Sequence, residues 1–306
     1  QSITGAHQIT LIGGASGGGA SDVGGNTHGN TAALSSDLST QTISANGISL
    51  IGGAGGVGNL AALYAGANQL ITVGGGGLHL TGGGGGASDR QNAALVWKGD
   101  DVPGAVQTIT VNGGGALTLQ GGNSSATSVG GDVNLGGLSN GSAATIRSNG
   151  TAQLIEFTAP GSGITMTGGS VGSNNLANIV AATGTQTIQG SSAANAPTIA
   201  LQGGASGGVT NEGNRAVIAS ELGVQTISAS GISLVGGASG TENLAQFRQG
   251  FTSGGLAESQ TVTIVGAGGL SLQGGGGATN LARIQSYGST QTVAMGAGST
   301  LDITGG

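Results

Sequence analysis

Residues 225–247 read QTISASGISLVGGASGTENLAQF, and the fold is decided by how that stretch is parsed. It holds three short segments: Gln225-Thr226-Ile227, then Ile232-Ser233-Leu234 running into Gly236-Gly237, then Asn243-Leu244-Ala245-Gln246-Phe247. Each alternates with period two, the mark of a strand, because successive strand side chains point to opposite faces. A helix would bring apolar residues back every third or fourth position, and none of the three does so.

The same order recurs from end to end. A Gln-x-Ile/Val opening stands at Gln1, Gln41, Gln69, Gln107, Gln153, Gln186, Gln225, Gln260 and Gln291, which gives nine units over residues 1–306. The third segment starts at Asn30, Asn59, Asn92, Asn175, Asn214, Asn243 and Asn280, with Ser142 in the Asn place of the fourth unit. Its Ala recurs as Ala32, Ala61, Ala94, Ala144, Ala177, Ala216, Ala245 and Ala282. Three strands per unit, parted by Gly-rich corners, predict one domain of all-β class. The expected form is a right-handed parallel β-solenoid of nine three-strand coils, each strand pairing with its equivalent in the next coil. At about 4.8 Å per coil such a rod would be roughly 40 Å long.

Stacking in register makes ladders. Gln41, Gln107 and Gln225 belong to one predicted amide ladder, and Asn59, Asn92, Asn175, Asn214, Asn243 and Asn280 to another. An inward amide is costly unless it is bonded, and a stack solves this because each amide donates to one neighbour and accepts from the other. Ala61, Ala94 and Ala177 mark the narrow place of the cross-section, where a larger side chain would overpack.

Composition narrows the function classes. Of 306 residues, 70 are Gly and none is Cys, with six Lys and Arg against twelve Asp and Glu, for a net charge of −6. So few cations leave no electrostatic footprint for nucleic acid. No apolar run is long enough for a membrane-spanning helix, so membrane insertion is not expected. The absence of Cys excludes disulfides and thiolate metal sites. His7, His28 and His79 lie in different segments without matching carboxylates, so no metal, cofactor or catalytic triad is expected. Asp22, Asp89 and Asp132 are scattered among loops, unlike a calcium-binding repeat, and Asp100 and Asp101 read as a solvated turn beside Pro103. Gly82 to Gly86 lacks the Lys and Ser/Thr of a phosphate loop. The Gly-Gly pairs read instead as corners that need positive φ and close backbone approach. The longest insertion, Gly121 to Gly141, follows such a corner.

Two outward faces carry recognition candidates. Thr42 with Ser44, Thr108 with Thr110, Thr226 with Ser228 and Thr261 with Thr263 form hydroxyl pairs like those of ice-binding surfaces, interrupted by Leu70, by Leu154 with Glu156, and by Gln189. On the third segment, Leu60, Leu176, Leu244 and Leu281 are expected to face solvent in a row. Tyr64, Trp97 and Arg147 share one register there and permit cation–π contact.

The combination of Gln-Thr-Ile, aliphatic-x-Leu-x-Gly-Gly and Asn-x-Ala-x-aliphatic resembles the repeats of filamentous-haemagglutinin-like exoproteins of Gram-negative bacteria, over the whole chain. That resemblance implies secreted β-helical fibres acting in adhesion or biofilm at the cell surface. The expected role is therefore structural rather than enzymatic. The alternatives are an ice- or glycan-binding protein and, further off, a β-helical polysaccharide-degrading enzyme. The sequence enters the repeat at Gln1 and Ile3 and stops after Leu301 and Ile303, with the ninth unit lacking its Asn-x-Ala segment. End-to-end pairing with further copies of itself is the expected partnership, beside host or matrix glycans.

Overall fold

The computed structural model describes residues 1–17, 20–21, 27–86, 91–99, 102–125, 141–208, 213–250 and 256–306. These form 27 β-strands and one 3-10 turn at Ala193–Asn195. Almost all pairing is parallel and joins each strand to its equivalent in the next unit. Ala61 pairs with Ala94, Ala94 with Ala144, Ala144 with Ala177, and so on to Ala245 with Ala282. Gln41, Gln69, Gln107, Gln153, Gln186, Gln225, Gln260 and Gln291 pair successively in the same way. The exception among the described residues is a small antiparallel hairpin, Ala20–Ser21 with Thr27–His28.

The expected solenoid of three-strand coils is not what these strands build. The first two segments of each unit belong to a single 15-stranded sheet. A path of 13 of its strands runs from Gly288–Met295 to Gln69–Thr81 and back out to Thr300–Thr304, an arc that bends the sheet towards closure like a barrel. The third segments form a separate eight-stranded parallel sheet from Ala32–Ser36 to Ala282–Ser286. The cause of the merger lies in the first three units, where segments one and two are one continuous strand: Ser2–Ile12, Gln41–Ile51 and Gln69–Thr81. The expected corner is replaced by a bulge, with register shifts between Ile3 and Ala6 and between Ala45 and Gly47. A bulge turns a strand without releasing it from the ladder. From the fourth unit on the segments separate, as in Val106–Val111 and Ala116–Gln120, yet both still pair with Gln69–Thr81.

The core lies between the two sheets. Ile43, Ile48 and Leu50 from the large sheet meet Ala61 and Leu63 from the small one, and their equivalents continue through Phe157, Ile179 and Phe247. Burial of these aliphatics, at about 25 cal/mol per Å² of apolar surface, opposes the entropy lost in ordering so many glycines.

The Gly-Gly pairs differ in one respect from expectation. Neither Gly of a pair such as Gly52-Gly53 or Gly168-Gly169 has positive φ. They are small because backbones cross there: a Cβ on Gly169 would stand 2.1 Å from the Gly122 carbonyl oxygen and 2.3 Å from the Asn175 Cβ. Positive φ falls one residue before the ladder Asn instead, at Gly58, Gln91, Asn174, Glu242 and Thr279.

Candidate functional site: ladders, outer face and open edge

The Gln ladder is continuous through all nine units. Each Nε2 donates to the Oε1 of the preceding unit, from Gln41 to Gln1 up to Gln291 to Gln260, in eight hydrogen bonds of 2.6–3.0 Å. The second amide hydrogen of most of them reaches a backbone carbonyl of the small sheet, as Gln107 reaches Arg147 and Gln153 reaches Val180. These amides therefore tie the two sheets together as well as stacking along them.

The Asn ladder runs in the opposite sense. The backbone N–H of each Asn donates to the Oδ1 of the next, as Asn59 to Asn92, Asn175 to Asn214, Asn214 to Asn243 and Asn243 to Asn280. The Nδ2 groups close the neighbouring loops, Asn59 on Gly55 and Asn175 on Val171. The ladder is interrupted at Ser142, whose buried hydroxyl has no hydrogen-bond partner.

The outer face of the small sheet corrects the proposed leucine contact row. Leu176 and Leu244 are buried, at 1% and 4% exposure, Leu60 is half-buried, and only Leu281 is exposed. In the middle of the sheet both faces are buried, so that every residue of Ala177–Ala181 and Ala216–Ser220 is inside. Leu176 packs there with Ala143, Val180, Val217 and Ala219 in a second apolar cluster. The signal for this was present in the sequence: ANIVA and AVIAS are nearly continuous apolar runs, as strands covered on both sides are.

Tyr64 and Trp97 are half-buried neighbours in register, with ring centroids 5.8 Å apart at 86°, an edge-to-face pair. Arg147, next along the row, donates its Nε to Asn149 Oδ1 and brings Nη2 within 3.9 Å of Glu221 Oε2. Burial pushes the Glu221 carboxyl above its ordinary 4.5, against the opposing pull of Arg147 and Arg248. The same burial lowers the Arg248 guanidinium, with Glu221 as its main support. Lys98 points inward and is fully buried, with its Nζ on the Gly99 carbonyl. His79 is half-buried with Nε2 2.8 Å from the Gly76 carbonyl, and His7 is exposed. Asp22, Asp89, Asp100, Asp101 and Asp132 lie outside the described residues, as does most of the Gly121 to Gly141 insertion. Among the described residues no group of three or more His, Asp or Glu could hold a metal ion. None of the described helices is long and apolar enough to cross a membrane.

At the ends, Gln1 is exposed and Ile3 half-buried, while Leu301 and Ile303 are 55% and 70% exposed. Beside the last strand of the small sheet lies a groove of about 340 Å³, lined by Leu272, Asn280, Leu281, Ala282, Ile303 and Gly305 among others.

Parallel strands stacked unit on unit, with amide ladders between them, define the class: an all-β repeat protein. Compared with protein-family models, with curated proteins and with solved structures, the chain matches none.

Proposed function

We propose that this chain is a structural element of an extracellular bacterial fibre or surface adhesin, secreted and joined head to tail to further copies of itself. The observation that carries this reading is the directional Gln ladder, unbroken through nine stacked units. Along it each Nε2 points to the preceding unit, so the stack has a single polarity, the one a head-to-tail fibre needs. Gly288–Met295 and Thr300–Thr304 each pair on one side only, and Val293, Met295, Leu301 and Ile303 are exposed along them. An open edge with apolar side chains is a template for further parallel pairing. Host or matrix glycans are the external partners that an adhesin of this kind would meet.

The test is negative-stain microscopy of the purified chain beside a Leu301→Glu, Ile303→Glu double variant. Filaments that disappear in the variant support axial joining. Filaments that persist unchanged, or copies that touch only through their sides, refute it.

A second reading is favoured by one observation. Thr187, Thr226, Thr261 and Thr292 pair in unbroken register on four successive strands, with Ser228 and Thr263 paired beside them. Such a regular hydroxyl row suits ice or a crystalline glycan. Thermal hysteresis, or retention on an insoluble polysaccharide, that is lost in a Thr226→Leu, Thr261→Leu variant would support this reading over the fibre.

A further inference from the structure

We infer that the ligand of the hydroxyl face is ice, docked on a two-dimensional grid carried by four strands: Thr185–Gly190, Gln225–Ala229, Leu256–Ile264 and Gly288–Met295. This narrows the second reading above to one ligand and rests on that reading, while it is independent of head-to-tail joining.

The grid has three rows. Its middle row is Thr187, Thr226, Thr261 and Thr292, paired from strand to strand. Two residues further along each strand stand Gln189, Ser228, Thr263 and Ala294. Two residues before the middle row stand Thr185, Val224, Ser259 and Thr290. Period-two alternation sets all three rows on the side opposite the buried Gln ladder. Nine of these twelve positions are Thr or Ser, none is charged or aromatic, and all are half-buried or exposed. In-register pairing spaces the grid at about 4.8 Å across the strands and about 6.6 Å along them.

The grid hydroxyls differ from others in the chain. Ser162 Oγ is held by the Ala159 carbonyl, Thr183 Oγ1 by Asn149 and Ser220 Oγ by Gly223. None of the nine grid hydroxyls has a hydrogen bond to another described residue. Thr is β-branched and stiff at χ1, so its hydroxyl and methyl hold their places before any ligand arrives.

One such hydroxyl contributes little, about 1 kcal/mol net per hydrogen bond. Firm attachment requires many to engage at once, and a dissolved or flexible molecule cannot meet a fixed grid at every point. A rigid ligand with its own repeat can. Ice is a lattice of donors and acceptors, and a Thr or Ser hydroxyl is both. An ionic mineral would call for carboxylates, and the grid has none; Glu156, on the adjoining strand, accepts from Gln189 at 3.3 Å. A crystalline polysaccharide offers broad sugar faces that pack on aromatic rings, which supply large contact area. Here Tyr64 and Trp97 lie on the other sheet.

The probe is a single ice crystal in a nanolitre osmometer, bathed in the intact chain, with serum albumin as the comparison. A faceted crystal and a gap between its melting and growth temperatures are expected. Thr226→Tyr with Thr261→Tyr raises two rings in the middle of the grid and should shrink that gap about tenfold, because many hydroxyls lose contact together. Thr226→Tyr alone should act in the same direction, and circular dichroism melting identifies the folded variants. Thr165→Tyr, at an exposed position of the same sheet outside the grid, should leave the gap unchanged. Crystal growth as in albumin, or an equal loss in Thr165→Tyr, overturns the inference. Retention on cellulose or chitin without ice activity also overturns it and leaves the hydroxyl-face reading standing, whereas absence of both removes the two together.

Discussion

Gln153 donates its Nε2 to Gln107 Oε1 at 2.7 Å, and Gln107 passes the same bond to Gln69 Oε1 at 2.7 Å. All three amides are at most 1% exposed, so each depends on its neighbours in place of water. A buried amide in a short stack would leave two ends unsatisfied, whereas here the cost is spread over nine units.

Gln107→Leu keeps most of the volume and removes both bonds, together with the bond to the Arg147 carbonyl. It leaves Gln69 Oε1 without its donor and Gln153 Nε2 without its amide acceptor. The expected loss is about 2–6 kcal/mol, from roughly 1–3 kcal/mol for each of these two buried groups. Denaturant unfolding of the variant beside the parent chain reads this directly, and an unchanged midpoint would count against the ladder's role.

Ala177 is fully buried between Ala144 and Ala216 in register. Ala177→Leu has no space to enter, so it should destabilise by roughly 1–3 kcal/mol through overpacking. A neutral melting temperature would mean that the sheets can move apart at this layer.

Ser142 stands where other units have Asn, and its hydroxyl is buried without a partner. Ser142→Asn should supply an Oδ1 to the Asn92 N–H, as Asn92 does for Asn59 at 3.0 Å. The expected gain is about 1 kcal/mol, the net value of one such hydrogen bond. The check is a rise in melting temperature, and a fall would place some other constraint on this position.

Glu221 gives the chain a pH dependence of stability. Burial raises its pKa above 4.5, so the folded state holds the proton more tightly than the unfolded one. Between 4.5 and the raised value the folded chain carries more protons, and stability therefore falls as pH rises through that window. The stability difference, wild type minus Glu221→Gln, should decline as pH is raised from 4 to 7. Unfolding midpoints of both proteins across that range test the sign, and a difference that grows with pH would refute it.

Sequence alone determined the local unit and its register. Gln-x-Ile, Asn-x-Ala and the Gly-Gly pair recur with their internal order intact, and period-two alternation fixes which of their side chains face inward, so the two amide ladders and the Ala row were legible without coordinates. What only the tertiary structure decided is how those strands are grouped. Whether Ala45-Asn46-Gly47 turns as a loop or stays paired as a bulge depends on the neighbouring strand, and it stays paired, which merges two expected ladders into one 15-stranded sheet. Likewise the apolar runs ANIVA and AVIAS signal cover on both faces, but which residues pack against Leu176 and Val180 is decided only by the tertiary structure. Alternation reports which face a residue is on, whereas cover and closure are set by contacts between segments far apart in the chain.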